Sequence, residues 1–226
     1  MKLLELEDVY YTYKTKYQSV EALKGITYAF EEGLLYAVMG SSGSGKTTLL
    51  SLMAGLDTPA SGRVLCEGTA TDTMDLARYR REMTAVIYQD FRLFPLLTAA
   101  ENIMYPMELR GIKKREAREE AGRLLCRVGL SEDYADRFPA MLSGGEQQRV
   151  AIARALGMQT RVLLADEPTG NLDETNSENI FRMLLDLAHK EGYLVIVVTH
   201  DENLGAQADV RIRIRDGRIS ESTGAQ

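Results

Sequence analysis

Residues 40–48 read GSSGSGKTT, and this stretch decides the fold of the chain. It matches G-x-x-x-x-G-K-[ST], the pattern of a phosphate-binding loop. Residues 34–39 before it form a strand-length apolar run, and residues 48–54 after it favour a helix. A flexible glycine- and serine-rich linker would lack this strand–loop–helix context. The stretch therefore predicts a protein that binds a nucleoside triphosphate. The fixed positions of the pattern are filled by Gly40, Gly45, Lys46 and Thr47.

The chemistry of phosphate binding explains these residue types. Glycine lets the main chain approach an anion closely, and the first N–H groups of the following helix point at the anion. The Lys46 ammonium reaches the β- and γ-phosphates, and the Thr47 hydroxyl is placed to ligate Mg²⁺. We therefore expect the whole loop to bind the nucleotide. Its residues are Gly40, Ser41, Ser42, Gly43, Ser44, Gly45, Lys46, Thr47 and Thr48.

Composition limits the classes of function. The 226 residues suffice for one sizeable α/β domain, and the contents of 45% hydrophobic and 27% charged residues are typical of a globular protein. A net charge of −6 argues against nucleic acid as a partner. The N-terminus does not resemble a signal peptide, and no apolar run approaches the ~20 residues of a membrane span. We therefore expect a cytoplasmic protein.

Short apolar runs alternate with helical stretches through most of the chain, which is typical of a buried parallel sheet. In the N-terminal third the strand-like runs follow one another closely, which favours an antiparallel layer. Residues 91–155 show no strand signal, and they contain a capping box at Thr98 and Glu101 and an amphipathic stretch at 112–128. The sequence predicts a single α/β domain over residues 1–226. It has a P-loop NTPase core with a mostly parallel sheet, an N-terminal antiparallel β layer and a helical subdomain inserted at about 91–155.

Two carboxylates end the apolar run VLLADE at residues 162–167. Ligands of parallel sheets lie at the carboxyl ends of the strands, so we expect Asp166 and Glu167 beside the phosphate-binding loop. Asp166 can hold Mg²⁺ through a water molecule, and Glu167 is placed to polarise the attacking water. An apolar run that ends in two acids is a weak signal alone, but a phosphate-binding loop upstream makes it strong.

A second glycine-rich segment, LSGGEQQRV at residues 142–150, begins another helix. Ser143 and Glu146 form a capping box, while Gly144 and Gly145 leave the backbone open to a close approach. Such a terminus can bind an anion, although a plain helix cap would use the same residues. One chain gains little from two separate phosphate-binding helix ends unless they come from different subunits. The two helix ends therefore predict a head-to-tail homodimer in which each nucleotide is shared.

Together the three motifs resemble the nucleotide-binding subunit of an ATP-binding cassette (ABC) transporter. The resemblance implies ATP and Mg²⁺ as cofactors and ATP hydrolysis as the activity. It also implies that Gln89 senses Mg²⁺ and the γ-phosphate, that His200 contacts the γ-phosphate, and that Asp173 lies in a loop crossing the dimer interface. Adenine is expected to stack on Tyr13, with Tyr11 as the alternative. The expected catalytic set is Glu167, His200, Gln89 and Lys46, and the expected metal set is Thr47, Gln89 and Asp166.

Further stretches resemble the group of macrolide-exporter, lipoprotein-release, cell-division and bacitracin-resistance ATPases, which act with membrane subunits. They are GLDTPASG at 55–62, ENIMYPMELRGI at 101–112 and DEPTGNLD at 166–173. The apolar residues after Gln89 are expected to form a groove in which an integral membrane permease docks through a cytoplasmic helix. The protein would then lie at the inner face of the cell membrane. These apolar residues are Phe91, Leu93, Phe94, Leu96 and Leu97.

Two rival functions fit parts of this pattern. An ATPase that controls a cell-wall hydrolase through its membrane partner, and transports nothing, would have the same ATPase half. A soluble ABC ATPase of DNA repair or translation would need a long coiled-coil insertion or tandem cassettes, and the sequence shows neither. The transported substrate and the direction of transport are not encoded in these residues.

Overall fold

The computed structural model describes residues 1–14 and 18–224, so the predicted bounds 1–226 include residues outside these ranges. The closely spaced runs of the N-terminal third form the strands β1 (Lys2–Lys14), β2 (Ser19–Glu31), β4 (Ser61–Cys66) and β5 (Thr69–Ala70). These strands pair antiparallel in the order β2-β1-β4-β5. The predicted N-terminal antiparallel layer is confirmed.

The short apolar runs form a second sheet of six strands, in the order β10-β9-β3-β8-β7-β6. Neighbouring strands are parallel except for the hairpin of β9 and β10, which turns at Asp216 and Gly217. The predicted mostly parallel core sheet is therefore confirmed. The strands are β3 (Leu35–Met39), β6 (Thr84–Tyr88), β7 (Val162–Asp166), β8 (Leu194–Val198), β9 (Val210–Arg215) and β10 (Arg218–Gly224).

Helices connect the parallel strands. They are α1 (Lys46–Met53), α2 (Leu76–Glu82), α3 (Ala99–Leu109), α4 (Lys114–Arg127), α5 (Gly144–Gly157), α6 (Glu174–Glu191) and α7 (Glu202–Gly205). The capping box predicted at Thr98 and Glu101 begins α3. Helices α3, α4 and α5 all lie between β6 and β7 in the sequence. Across residues 1–14 and 18–224, the structure contains no helix whose length and apolar character suit a bilayer crossing.

The six-stranded sheet lies between two apolar cores. Successive residues of a strand point to opposite faces, so Leu163 and Ala165 pack with α3 to α6 while Val162 and Leu164 pack with α1 and the antiparallel sheet. This burial on both faces explains the continuous apolar runs in the sequence. The carboxyl ends of β3, β7 and β8 consequently meet at one edge, where the motif residues follow.

Candidate nucleotide-binding site

The phosphate-binding loop runs from the end of β3 to the start of α1. β3 is buried along its whole length, which fixes the direction in which the chain leaves the sheet. Gly45 has a φ of +108°, and a Cβ at this position would lie 2.6 Å from the carbonyl oxygen of Ala22. Only glycine fits such a left-handed and crowded position. The predicted strand–loop–helix context is thus present.

Two polar side chains of the loop are buried within it. The Lys46 ammonium donates hydrogen bonds to the carbonyl oxygens of Gly40 and Ser41, each at 2.9 Å. The Ser44 hydroxyl is buried and has no hydrogen-bond partner among the described residues. Burying a hydroxyl in this way costs about 1–3 kcal/mol by mutational data. The loop therefore holds a cation and an unpaired hydroxyl, a donor set that fits a phosphate group.

The loop opens into a cleft of about 900 Å³. Small-molecule sites typically enclose ~300–1,000 Å³. The cleft brings together the loop apart from Ser44, and with it Tyr13, Glu167 and His200, which the sequence placed in one site. The other predicted site residues are not among the described residues that line it: Ser44, Gln89, Ser143, Gly144, Gly145, Asp166 and Asp173. Besides the loop, the lining residues are Tyr13, Val20, Glu21, Ala22, Lys24, Glu167, His200, Asp216 and Gly217.

Asp166 ends β7 beside the phosphate-binding loop. The Thr47 hydroxyl donates a hydrogen bond to Oδ1 of Asp166 at 3.4 Å, so two of the three side chains expected near Mg²⁺ are in contact. Burial raises the pKa of Asp166, the hydrogen bond from Thr47 lowers it, and the charge of Glu167 raises it again, with a net upward shift. A cation placed beside this carboxylate would favour its ionised form. The pair is therefore suited to a divalent cation.

Glu167 and His200 are paired at the edge of the cleft. Nδ1 of His200 lies 3.0 Å from Oε2 of Glu167, and an ionised carboxylate can only accept, so the nitrogen donates. The backbone of Glu167 has a φ of +46°, a value that is uncommon for residues with a side chain. Its N–H donates to the carbonyl oxygen of Val198 at 2.9 Å, which ties this turn to β8. The position of the carboxylate is thus fixed from two sides.

Gln89 follows β6 directly, and its amide is paired with Asn171. Nε2 of Gln89 donates to Oδ1 of Asn171 at 3.3 Å, and Nδ2 of Asn171 donates to the Gln89 carbonyl oxygen at 3.0 Å. The structure thus places Gln89 at the same sheet edge, since Tyr88 before it pairs with Asp166. Its side chain contacts the loop after Glu167 rather than the cleft. Sequence reasoning missed Asn171, whose only signal is its place in the GNLD stretch.

Ser143 begins α5 with the predicted capping box. The Glu146 N–H donates to Oγ of Ser143 at 3.4 Å, and the Ser143 N–H donates to Oε2 of Glu146 at 2.7 Å. The second hydrogen bond lowers the pKa of Glu146. Asp173 begins α6 in a similar way, accepting from the Asn176 N–H at 2.8 Å. Both Ser143 and Asp173 are exposed and lie outside the cleft of their own chain.

Tyr13 lines the cleft, and Tyr11 packs against the Tyr13 ring. The Tyr13 hydroxyl lies 3.1 Å from Oγ1 of Thr48, and the two tyrosine rings meet edge to face with centroids 4.9 Å apart. The Tyr11 hydroxyl donates to Asp57, and this hydrogen bond raises the pKa of Tyr11 to about 12. Because only Tyr13 borders the cleft, the geometry favours it over Tyr11 as the aromatic platform.

The apolar segment 91–97 is less exposed than the sequence suggested. Leu96 is 87% exposed and Phe94 is 42% exposed, but Leu93 packs against the core beneath α3 to α6. The Phe94 ring lies 4.8 Å from that of Tyr105 on α3, between ring centroids. Leu109 is also exposed and lies one turn after Tyr105 on the same face of α3, so an exposed apolar surface joins the segment to α3.

Comparisons with known proteins agree with this geometry. The family model described as ABC transporter matches residues 23–170. The chain is 42% identical to the ABC transporter ATP-binding protein YclH of Bacillus subtilis (strain 168), over 97% of this chain and 96% of YclH. It is 43% identical to the macrolide export ATP-binding/permease protein MacB of Syntrophobacter fumaroxidans, over 100% of this chain and 32% of MacB. The chain thus spans about a third of the length of this MacB relative.

Solved structures show the same fold. The ATP-binding cassette MJ0796, a dimer in a post-hydrolysis state bound to ADP and Pi, gives a TM-score of 0.91 at 36% identity, covering 99% of both chains. CbiO1 of Clostridium perfringens, part of the ABC transporter complex cbiONQ, gives 0.88 at 28% identity, covering 99% of this chain and 88% of CbiO1. Fold and site together define an ATP-hydrolysing P-loop protein. The chain belongs to the ABC transporter family, as an ATP-binding subunit.

Proposed function

We propose that this ATPase subunit dimerises head to tail around two MgATP and drives a separate membrane permease. The observation that carries the proposal is the division of the predicted site. The phosphate-binding loop, Glu167 and His200 line one cleft, whereas Ser143 and Asp173 lie outside it. A second copy of the chain would supply the missing side of each site. The similar cassette MJ0796 is dimeric.

In this proposal the loop exchanges internal contacts for phosphate oxygens. Lys46 leaves the two carbonyl oxygens to which it now donates, and the Ser44 hydroxyl gains an acceptor. Lys46 exchanges neutral acceptors for oppositely charged ones, and the Ser44 hydroxyl exchanges no acceptor for a charged one, so the exchange favours the bound nucleotide. Tyr13 offers its ring to adenine at the open end of the cleft. The remaining phosphate ligands are the main-chain N–H groups between Gly40 and Thr48.

Hydrolysis is assigned to the sheet edge. Thr47 and Asp166 fit Mg²⁺, which proteins commonly hold through one or two carboxylates together with phosphate oxygens. When bound, the cation would neutralise charge on the phosphates. Glu167 orients the attacking water and accepts a hydrogen bond from Nδ1 of His200. In its protonated form His200 can also donate from its other ring nitrogen to the γ-phosphate. Gln89 completes the site once its amide leaves Asn171.

The other half of each site is assigned to one exposed face. The N-terminus of α5 presents the N–H groups of Gly144 and Gly145 and the positive end of the helix dipole. The loop before α6 adjoins it, because a Cβ at Gly144 would lie 3.5 Å from Cδ2 of Leu172. Ser143, Gly144 and Gly145 would thus contact the partner's γ-phosphate while Asp173 crosses the interface beside them.

The variant Glu167→Gln tests the shared site, because it removes the carboxylate that orients water but keeps the shape of the side chain. We expect it to bind ATP without hydrolysing it and to elute as a dimer in MgATP during size-exclusion chromatography with light scattering. Glu221→Gln, on the exposed edge strand β10, is the control and should behave like the wild type. A Glu167→Gln variant that stays monomeric at saturating MgATP would contradict the shared site.

The permease is proposed to dock on the exposed apolar surface near residues 91–97, which holds the protein at the inner face of the cell membrane. Leu96 and Phe94 form its centre. We expect tagged protein to recover a multi-span membrane protein from detergent-solubilised native membranes, as identified by mass spectrometry, and Leu96→Glu to reduce that recovery. Recovery of ribosomes or DNA-processing factors without a membrane protein would contradict the proposal.

A further inference from the structure

The loop that follows Gln89 has an unusual backbone. Phe91 and Arg92 have φ values of +58° and +45°, so two consecutive residues with side chains adopt the left-handed conformation. This conformation is disfavoured for any residue with a Cβ, and neighbouring groups must hold it in place. The Arg92 guanidinium lies 3.7 Å from the centre of the Tyr88 ring, which anchors its side chain but not the turn itself.

Arg154, on α5, holds the main chain of this turn. Its Nη2 donates to the carbonyl oxygen of Phe91 at 2.9 Å, and its Nη1 donates to the carbonyl oxygen of Arg92. A planar guanidinium suits this task, because its fork of donors reaches two neighbouring acceptors at once. Burial lowers the pKa of Arg154, so the side chain is a partly desolvated cation whose two acceptors here are neutral carbonyls.

The same loop meets α5 at a second point. A Cβ at Gly144, in the first turn of α5, would lie 3.7 Å from Cζ of the Phe91 ring. On the other side, the Gln89 amide is paired with Asn171 in the loop before α6. Residues 89–92 are therefore attached to the body of α5, to its N-terminus and to the loop that precedes α6.

We propose that Arg154 is a positioning residue for ATP hydrolysis. By fixing the loop after Gln89 to α5, it makes that loop and the helix end that presents Ser143 move as one unit. The inference rests on the proposed function, in which Gln89 and Ser143 act on the nucleotides of the dimer. Arg154 neither lines the cleft nor belongs to the phosphate-binding loop, so its removal should change turnover rather than nucleotide affinity.

The first test compares two arginines of the same helix. Arg149 also donates to a main-chain carbonyl, that of Val128 at 2.7 Å, and provides the matched control. We expect Arg154→Met to lower kcat at least about tenfold while KM for ATP stays within about twofold. Arg154→Lys keeps the charge but loses the forked pair of donors, so its kcat should lie between those of Arg154→Met and the wild type. Arg149→Met should retain turnover. The proposal would be overturned if Arg154→Met and Arg149→Met lost kcat equally and each loss matched the fall in the melting temperature of that variant.

A second test asks whether Arg154 acts through Gln89. In that case the double variant Gln89→Ala/Arg154→Met should hydrolyse ATP no more slowly than Gln89→Ala alone, since the effects of substitutions within one network do not add. Losses that multiply in the double variant would overturn the inference. A Gln89→Ala variant with wild-type turnover would instead contradict the proposed function.

Hydrogen exchange in the nucleotide-free chain tests the positioning role of Arg154 separately from the proposed function, because the measurement requires no ATP hydrolysis. The Phe91 and Arg92 N–H groups donate to the carbonyls of Tyr88 and Asp90, so their exchange reports on the turn. We expect Arg154→Met to speed exchange in residues 89–93 by about tenfold or more, and Arg149→Met to leave it unchanged. Unchanged exchange in Arg154→Met would overturn the positioning role.

Discussion

The Ser44 hydroxyl leads to a prediction in which stability and nucleotide affinity change in opposite directions. Ser44 is 5% exposed, and its Oγ has no hydrogen-bond partner among the described residues. Ser44→Ala removes this hydroxyl and leaves the backbone of the loop as it is. Burying an unpaired hydroxyl costs about 1–3 kcal/mol, and the small hole left behind offsets part of the gain. We expect the nucleotide-free chain to gain about 1 kcal/mol, which raises Tm by about 2–4 °C at this chain length.

The affinity for ATP should fall in the same variant. A hydrogen bond to a charged group contributes about 1.5–3 kcal/mol, so losing one to a phosphate should raise Kd by about 10- to 100-fold. Thermal melting without nucleotide and titration with ATP measure the two effects separately.

Ser177→Ala is the matched control for this experiment. The Ser177 hydroxyl is also buried, but it donates to the carbonyl oxygen of Thr169 at 3.4 Å, so its removal should lower Tm and leave ATP affinity unchanged. A Ser44→Ala variant that melts below the wild type, or that binds ATP as tightly, would refute the reasoning.

Three other substitutions probe the same cleft. Gly45→Ala should lower Tm by several degrees and abolish ATP binding, because the new Cβ meets the Ala22 carbonyl oxygen at 2.6 Å; a wild-type melting curve would contradict this. Asp166→Asn should abolish hydrolysis and raise Tm of the nucleotide-free chain at pH 7. The raised pKa means that the ionised carboxylate destabilises the fold. This penalty is absent below the ordinary aspartate pKa of 3.8 and is complete once the pH has risen through the raised value, so an equal gain in Tm at about pH 3.5 and pH 7 would count against it. Tyr13→Ala should weaken ATP binding by about tenfold or more, whereas Tyr13→Phe, which loses only the contact with Thr48, should bind within about twofold of the wild type; equal affinity of both variants would exclude stacking.

Motifs whose parts are close in sequence were predictable. The strand, loop and helix around residues 40–48 follow from local spacing, and so does the capping box of Ser143 and Glu146. The proximity of Glu167 and His200 was predictable as well, because both follow parallel strands whose carboxyl ends meet at one edge. In each case a local rule, or a rule of sheet geometry, decides the outcome.

Contacts between distant segments were not predictable in this way. Gln89 and Asn171 are far apart in sequence, and their pairing depends on how two loops leave the sheet. Phe91 and Arg92 are not residue types that signal a left-handed turn, and the residue that pairs with the carbonyls of this turn, Arg154, lies far along the sequence on α5. The sequence also did not show how far each apolar residue of segment 91–97 is buried: Leu93 packs against the core, whereas Leu96 is exposed.

The most direct test of the shared nucleotide site is to mix two inactive variants. Lys46→Ala disables the phosphate-binding loop, while Gly144→Asp places a negative charge at the start of α5, facing the partner's phosphate. The Cβ of that aspartate causes no clash, because its contacts at position 144 lie at 3.5 Å or more.

Head-to-tail pairing gives each mixed dimer one intact site. Equal amounts of the two variants should therefore recover about a quarter of the wild-type ATPase rate, since about half of the dimers are mixed. A mixture no more active than the sum of its separate components would contradict the shared site.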